Sequence, residues 1–160
     1  MTRTPTTKPK PAFLPLMREL VRCYQAFEQY SAAHIRELGL TPAQFDVIAT
    51  LGNTEGMTFK ELGEKTLITK GTLTGVVDRL VEKGLVTRKD HPCDARCFKV
   101  VLTRAGEREF LRVFQPHVEH VGLAFERLSG EEIKLMIEKL QTLRQQFEAA
   151  RRANQEAETA

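Results

Sequence analysis

No apolar run in this sequence approaches the roughly 18 residues that a bilayer-spanning helix needs. The opening MTRTPTTKPKPAF lacks the long apolar core of a secretory signal, so the expectation is a cytoplasmic protein with no membrane partner. Cysteine is scarce and odd in number, at three residues, which argues against a disulfide scaffold and for reduced thiols. Common catalytic signatures are missing as well: there is no Gly-rich phosphate loop, no Gly-x-Ser-x-Gly and no His-Glu-x-x-His. Without a nucleophile, base or metal set at matched spacing, the expectation is that the chain is not an enzyme and carries no cofactor. The net charge of +3 is too small to indicate a partner by itself.

What is present is enough to build a core, since 41% of the 160 residues are hydrophobic. The charge is also unevenly placed. From Lys60 to Arg104 ten Lys and Arg face six acids, an excess of four within a quarter of the chain.

That basic stretch reads as two helices and a hairpin. Thr58 followed by Glu61 is a capping-box pattern that opens a helix. After a break near Thr66 to Thr69, Leu73, Val76, Val77 and Leu80 repeat at helical spacing up to Gly84, which suits the turn past a helix end. Two short helices about a tight turn suggest a helix-turn-helix. Leu85 to Arg88 and Phe98 to Leu102 are β-prone runs around a polar segment, which predicts a hairpin, or wing.

Long helices flank this centre. Residues 1 to about 11 read as a disordered basic tail, either simply solvated or supplying a further phosphate contact. From Pro15 to Leu38, Leu16, Leu20, Tyr24, Phe27, Ile35 and Leu38 follow helical spacing. Thr41-Pro42-Ala43-Gln44 then opens a helix that carries Phe45, Val47, Ile48 and Leu51. Thr103 can cap a further helix, whose apolar stripe from Phe110 to Leu128 includes Pro116, an expected kink or local break. Ser129 to Glu132 opens a last helix with Ile133, Met136, Ile137, Leu140, Leu143 and Phe147 on one face. The expected class is mainly α with a small β-hairpin wing. Residues 39–103 form the winged helix-turn-helix, 12–38 and 104–150 the dimerisation helices, and 151–160 a frayed tail. The end helices carry more apolar surface than one small module can cover, which favours a two-fold homodimer over a monomer.

Counting 100° per residue from Leu73 puts Val76, Val77, Leu80 and Gly84 inside and Gly71, Thr74, Gly75, Asp78 and Glu82 outside, with Thr72 and Arg79 at the flank. Two glycines on an exposed helix face each cost about 1 kcal/mol against Ala. Close approach to a ligand backbone would account for them, because it lets a helix sink into a DNA major groove. The alternative is a helix N-terminus at Gly71 and a tolerated Gly75. The candidate DNA-binding residues are Thr69, Lys70, Gly71, Thr72, Thr74, Gly75, Arg79, Arg88, Lys89, Asp94 and Arg96. Among them, Asp94 can hold Arg96 at the wing tip, unless the two form only an exposed ion pair.

With these parts assembled, residues 13 to 147 resemble the MarR family of winged-helix transcriptional regulators. The resemblance is carried by Gly71 to Arg88, by Asp94-Ala95-Arg96, by Val101 to Gly106 and by Leu40 to Phe45. It implies a homodimeric repressor on a pseudo-palindromic operator in double-stranded DNA, with Arg96 in a minor groove, oriented by Asp94. It also implies release by a small aromatic or anionic effector. Phe27, Tyr30 and His34 are candidates to line that pocket, with core packing as the other reading. The wing departs from the family at Cys93 and Cys97, which flank the arginine where polar residues are usual. They are either incidental or a redox switch, if oxidation to a disulfide redirects Arg96. Cys23 is expected in the core. His91, Cys93, Cys97, His117 and His120 are residue types that bind zinc, but no spacing among them matches a closed Cys/His site, so no metal is expected. The rival class is a winged-helix module that makes only protein contacts.

Overall fold

The computed structural model describes residues 11–66, 68–91 and 94–159, and the side chains of 90–97 also lie outside the described residues. The expected basic tail therefore lies almost wholly beyond them, as does Cys93. The first long helix, α1, runs Phe13–Glu37, two residues longer at its start than the spacing suggests. Helix α2 is Pro42–Leu51, β1 is Met57–Thr58, α3 is Phe59–Thr66 and α4 is Lys70–Glu82. Strands β2 (Val86–His91) and β3 (Asp94–Leu102) form the wing, and α5 (Arg104–Gly122) follows. A 3-10 turn at Leu123–Phe125 precedes α6, Gly130–Thr159.

The helix starts are set locally. Thr41 and Gln44 form a reciprocal capping box at α2 with Pro42 at the first position. The amide of Thr58 donates to Glu61 at 2.8 Å while the Glu61 amide donates back to Thr58 Oγ1 at 3.3 Å. Ser129 and Glu132 repeat the pattern at α6, and the Ser129 amide and hydroxyl hold the Glu132 carboxyl below its ordinary range.

The core joins all the elements up to α5. Val47, Ile48 and Leu51 of α2 and Leu73, Val77 and Leu80 of α4 are almost wholly buried, together with Leu62, Val86, Val100 and Val113. From α1 only Ser31 and Ile35 are buried, so the core grips that helix near its C-terminal end. Two glycines are dictated by geometry. Gly84 takes φ +69° just past α4, and its carbonyl accepts from Thr103 Oγ1 at 2.6 Å. At Gly106, the first turn of α5 presses on the main chain so closely that a Cβ would fall 1.9 Å from the Leu85 carbonyl oxygen.

Several expectations need correction. The sheet has three strands in the order β1-β3-β2, because Met57 pairs with Val100 and adds an edge strand to the hairpin. A two-residue strand offers no alternation from which to read it. Of the kink or local break expected at Pro116, the break does not occur: α5 runs on as one helix to Gly122. The proline is exposed, where water can replace the hydrogen bond its missing N–H forfeits. The helical stripe is instead interrupted at the 3-10 turn. Helix α6 continues to Thr159, past the expected frayed tail, since residues 149–159 hold many helix formers and no Gly or Pro. Gly84, expected inside, is exposed, and Cys23 is exposed, not core, because within the first unit the core takes hold of α1 only at Ser31 and Ile35, further along the helix.

The chain divides into two compact units, one ending at Val121 and the other starting at Gly122. In the first, α1 leaves Phe13, Leu16, Val21, Tyr24 and Phe27 half exposed. In the second, α6 leaves Leu135, Met136, Ile137, Leu140 and Phe147 in the same state.

Candidate nucleic-acid interface

Helix α4 buries one stripe and presents another, as 100° steps from Leu73 dictate: Gly71, Thr72, Thr74 and Arg79 are exposed, and Gly75 and Asp78 are half-buried. Among the described residues a Cβ at Gly71 or Gly75 would meet no atom within 4 Å, so no packing among them requires either glycine. Thr69 is the N-cap in extended conformation but makes no side-chain cap; its hydroxyl bonds to that of Thr72 at 3.0 Å. The first amides of α4 are thus left to an external acceptor, and a helix N-terminus suits an anion. Thr74 Oγ1 donates to the Lys70 carbonyl at 3.1 Å.

The two basic residues of β2 separate. Arg88 donates to Asp78 of α4 and stands 5.4 Å over the ring of Phe98. Phe98 in turn meets Phe59 of α3 edge-on at 5.2 Å. Arg88 therefore ties β2 to α4, β3 and α3, and it neutralises a carboxylate that would repel phosphate. Lys89 faces the other way, as alternation along a strand requires, and lines a cavity of about 480 Å³ with Glu55, Glu107 and Phe110. Lys70, by contrast, shares a groove of about 860 Å³ with Lys60, Phe59, Ile68 and Phe98, beside the start of α4. Lys60, Asp78 and Phe98 were not singled out from sequence as contacts, because only folding brings their elements together. The side chains of Asp94, Arg96 and Cys97 lie outside the described residues.

The three effector candidates also divide. Phe27 lines a cavity of about 690 Å³ among α1, α2 and the α3–α4 turn, with Tyr24, Ile35, Arg36, Asp46 and Ile68. Tyr30 and His34 instead join a stack with His117 and His120 of α5. His117 is buried, and burial, reinforced by His34 and His120, holds its imidazole below the ordinary 6.5. Among the described residues no cluster of three His, Cys, Asp or Glu has metal-binding geometry.

Comparison with known proteins gives this arrangement its context. The sequence model of the MarR family matches residues 38–96. The HTH-type transcriptional regulator MhqR of Bacillus subtilis is 31% identical over 127 residues, covering 79% of this chain and 88% of MhqR. AbsC, a MarR family transcriptional regulator from Streptomyces coelicolor, superposes with a TM-score of 0.79 over 90% of this chain and 99% of AbsC, at 21% identity. BpsR of Bordetella bronchiseptica, whose DNA binding is regulated by 6-hydroxynicotinic acid, superposes at 0.73 over 85% of this chain and 97% of BpsR, at 25% identity.

Proposed function

The chain belongs to the MarR family of DNA-binding transcriptional regulators, and from that premise we propose that it is a cytoplasmic homodimeric repressor of a pseudo-palindromic operator, released by a small aromatic or anionic effector. One α4 enters the major groove at each half-site, and each wing reaches the flanking minor groove with Arg96 held by Asp94. The observation that carries this reading is the pair of glycines on the exposed face of α4 with open space above them. A helix that gives up about 1 kcal/mol at Gly75, with no neighbour to demand it, is shaped for something outside the chain.

Around those glycines, Thr69, Thr72 and the first amides of α4 supply donors for phosphate and base edges. Lys70 and Arg79 reach phosphates, joined by Lys60 from α3. Arg88 serves as a brace through Asp78, and Lys89 faces away from this surface. The exposed apolar residues of α1 and of α6 supply the dimer contacts, which is the use expected of residues 12–38 and 104–150. The effector cavity is the one lined by Phe27, where Tyr24, Ile35 and Ile68 offer apolar walls and Arg36 a cation for a carboxylate. The regulation of BpsR by an aromatic acid supports that choice of ligand class.

Selection of bound sequences from a random duplex library tests the reading. A two-fold symmetric site, affinity that falls steeply with salt, and loss of affinity in a folded Arg96→Ala dimer are expected. Absence of any sequence-preferring binding at moderate salt would overturn it.

A further inference from the structure

Three of the chain's four histidines meet where α1 lies beside α5. Rings from the two helices interleave. Tyr30 lies on His120 with centroids 4.4 Å apart, His120 on His34 at 4.1 Å with planes 4° apart, and His34 on His117 at 5.3 Å. Phe45 of α2 closes the column edge-on to His117 at 4.5 Å. The polar atoms are matched as well: Tyr30 Oη donates to the His120 carbonyl at 2.8 Å, and Ser31 Oγ lies 3.1 Å from His117 Nε2.

The contact between His34 Nδ1 and His117 Nδ1, at 3.1 Å, sets the proton count. One ring must donate and the other accept, so the bond holds one proton and not two. A neutral pair satisfies it. Protonating both rings sets N–H against N–H, and charging His120 adds a further cation 4.1 Å from His34. His34 from α1 and His120 from α5 are the titratable groups acting on His117, and both disfavour its charge. Ser31 is uncharged, and α2 meets the column with the Phe45 ring. Glu119, on α5, accepts from Gln115.

The column matters for the rest of the fold because α5 also holds the chain just past α4. At its start, Thr103 Oγ1 donates to the Gly84 carbonyl just past α4, and Gly106 abuts Leu85. A shift of α5 against α1 therefore moves the chain that follows α4.

We propose that the Tyr30, His120, His34 and His117 column is a proton-responsive pin between α1 and α5, which fixes the helices when neutral and, on acidification, parts them and weakens operator binding. The inference rests on the operator-binding reading above. Its sign is diagnostic, because histidines that merely lie near DNA, as His91 at the end of β2 would on the wing, gain attraction to phosphate when protonated.

The test uses the full-length chain and the selected operator from pH 8.0 to 5.5 at constant ionic strength. Affinity is expected to fall about tenfold or more between pH 7.5 and 5.5, as linkage to one proton allows. His120→Phe, which keeps a ring and removes a charge, is expected to bind normally at pH 7.5 and to flatten the fall. NMR titration of the wild-type imidazoles should show coupled curves, with His117 protonating last. Affinity that is constant or rises on acidification, an equally steep fall in His120→Phe, or three independent titrations near the ordinary value would each overturn the pin. If no sequence-preferring binding exists at pH 7.5, the operator reading fails and takes the pin's effect on DNA with it. Normal binding at pH 7.5 with the wrong acid response removes the pin alone.

Discussion

The Arg88 guanidinium donates to Asp78 while lying over the Phe98 ring, so one side chain links α4 to both strands of the wing. Both partners are partly exposed, at 38% and 47%, and such a pair contributes under about 1 kcal/mol to stability. Its consequence is for position and charge on the face of α4.

This makes Asp78→Asn informative. Removing a negative charge beside DNA should tighten binding if Arg88 contacts phosphate, because the arginine is then freed. As a brace, the pair predicts the reverse: Asp78→Asn and Arg88→Ala each weaken specific binding severalfold, and neither changes the slope of log affinity against log salt. A slope smaller by about 1 in Arg88→Ala would instead mark a phosphate contact. Operator titrations at three salt concentrations decide.

Gly75→Ala should separate stability from function. With open space around the position, the fold gains up to about 1 kcal/mol of helix propensity, read as a higher denaturant midpoint. Operator affinity should drop at least about tenfold, since the added methyl stands between helix and groove.

Gly106→Ala should do the opposite. Its Cβ would fall on the Leu85 carbonyl oxygen, which is backbone and cannot swing aside. A loss of about 1–3 kcal/mol is expected, seen as a lower midpoint at an unchanged m-value.

Stability should also depend on pH through His117. Its folded imidazole titrates below 6.5, so the unfolded chain binds more protons as pH falls through 6.5 toward the depressed folded value. The contribution is present above that window and is lost as pH descends through it. Thermal midpoints between pH 7.5 and 5.0 should decline, and His117→Phe should reduce that dependence.

Much of the architecture was legible because it is encoded locally. The capping pairs Thr41/Gln44, Thr58/Glu61 and Ser129/Glu132 each involve residues three apart, and the stripe Leu73, Val76, Val77 and Leu80 shows its period within one helix. The outward-facing glycines followed from the same count. Cys23 was misread because an apolar helix face says only that something should cover it, not that this chain does.

By itself, then, the sequence determined the helices and the two strands of the wing, the starts of α2, α3 and α6 at their capping pairs, and the buried stripe of α4, since propensity, capping and periodicity act over a few residues. Only the tertiary structure decided that Met57 adds a strand to the wing, that Arg88 belongs to Asp78 while Lys89 turns away, and that His34 meets His117 and His120. Those pairings join residues from 10 to 86 positions apart, set by how whole elements pack, and no local pattern announces them.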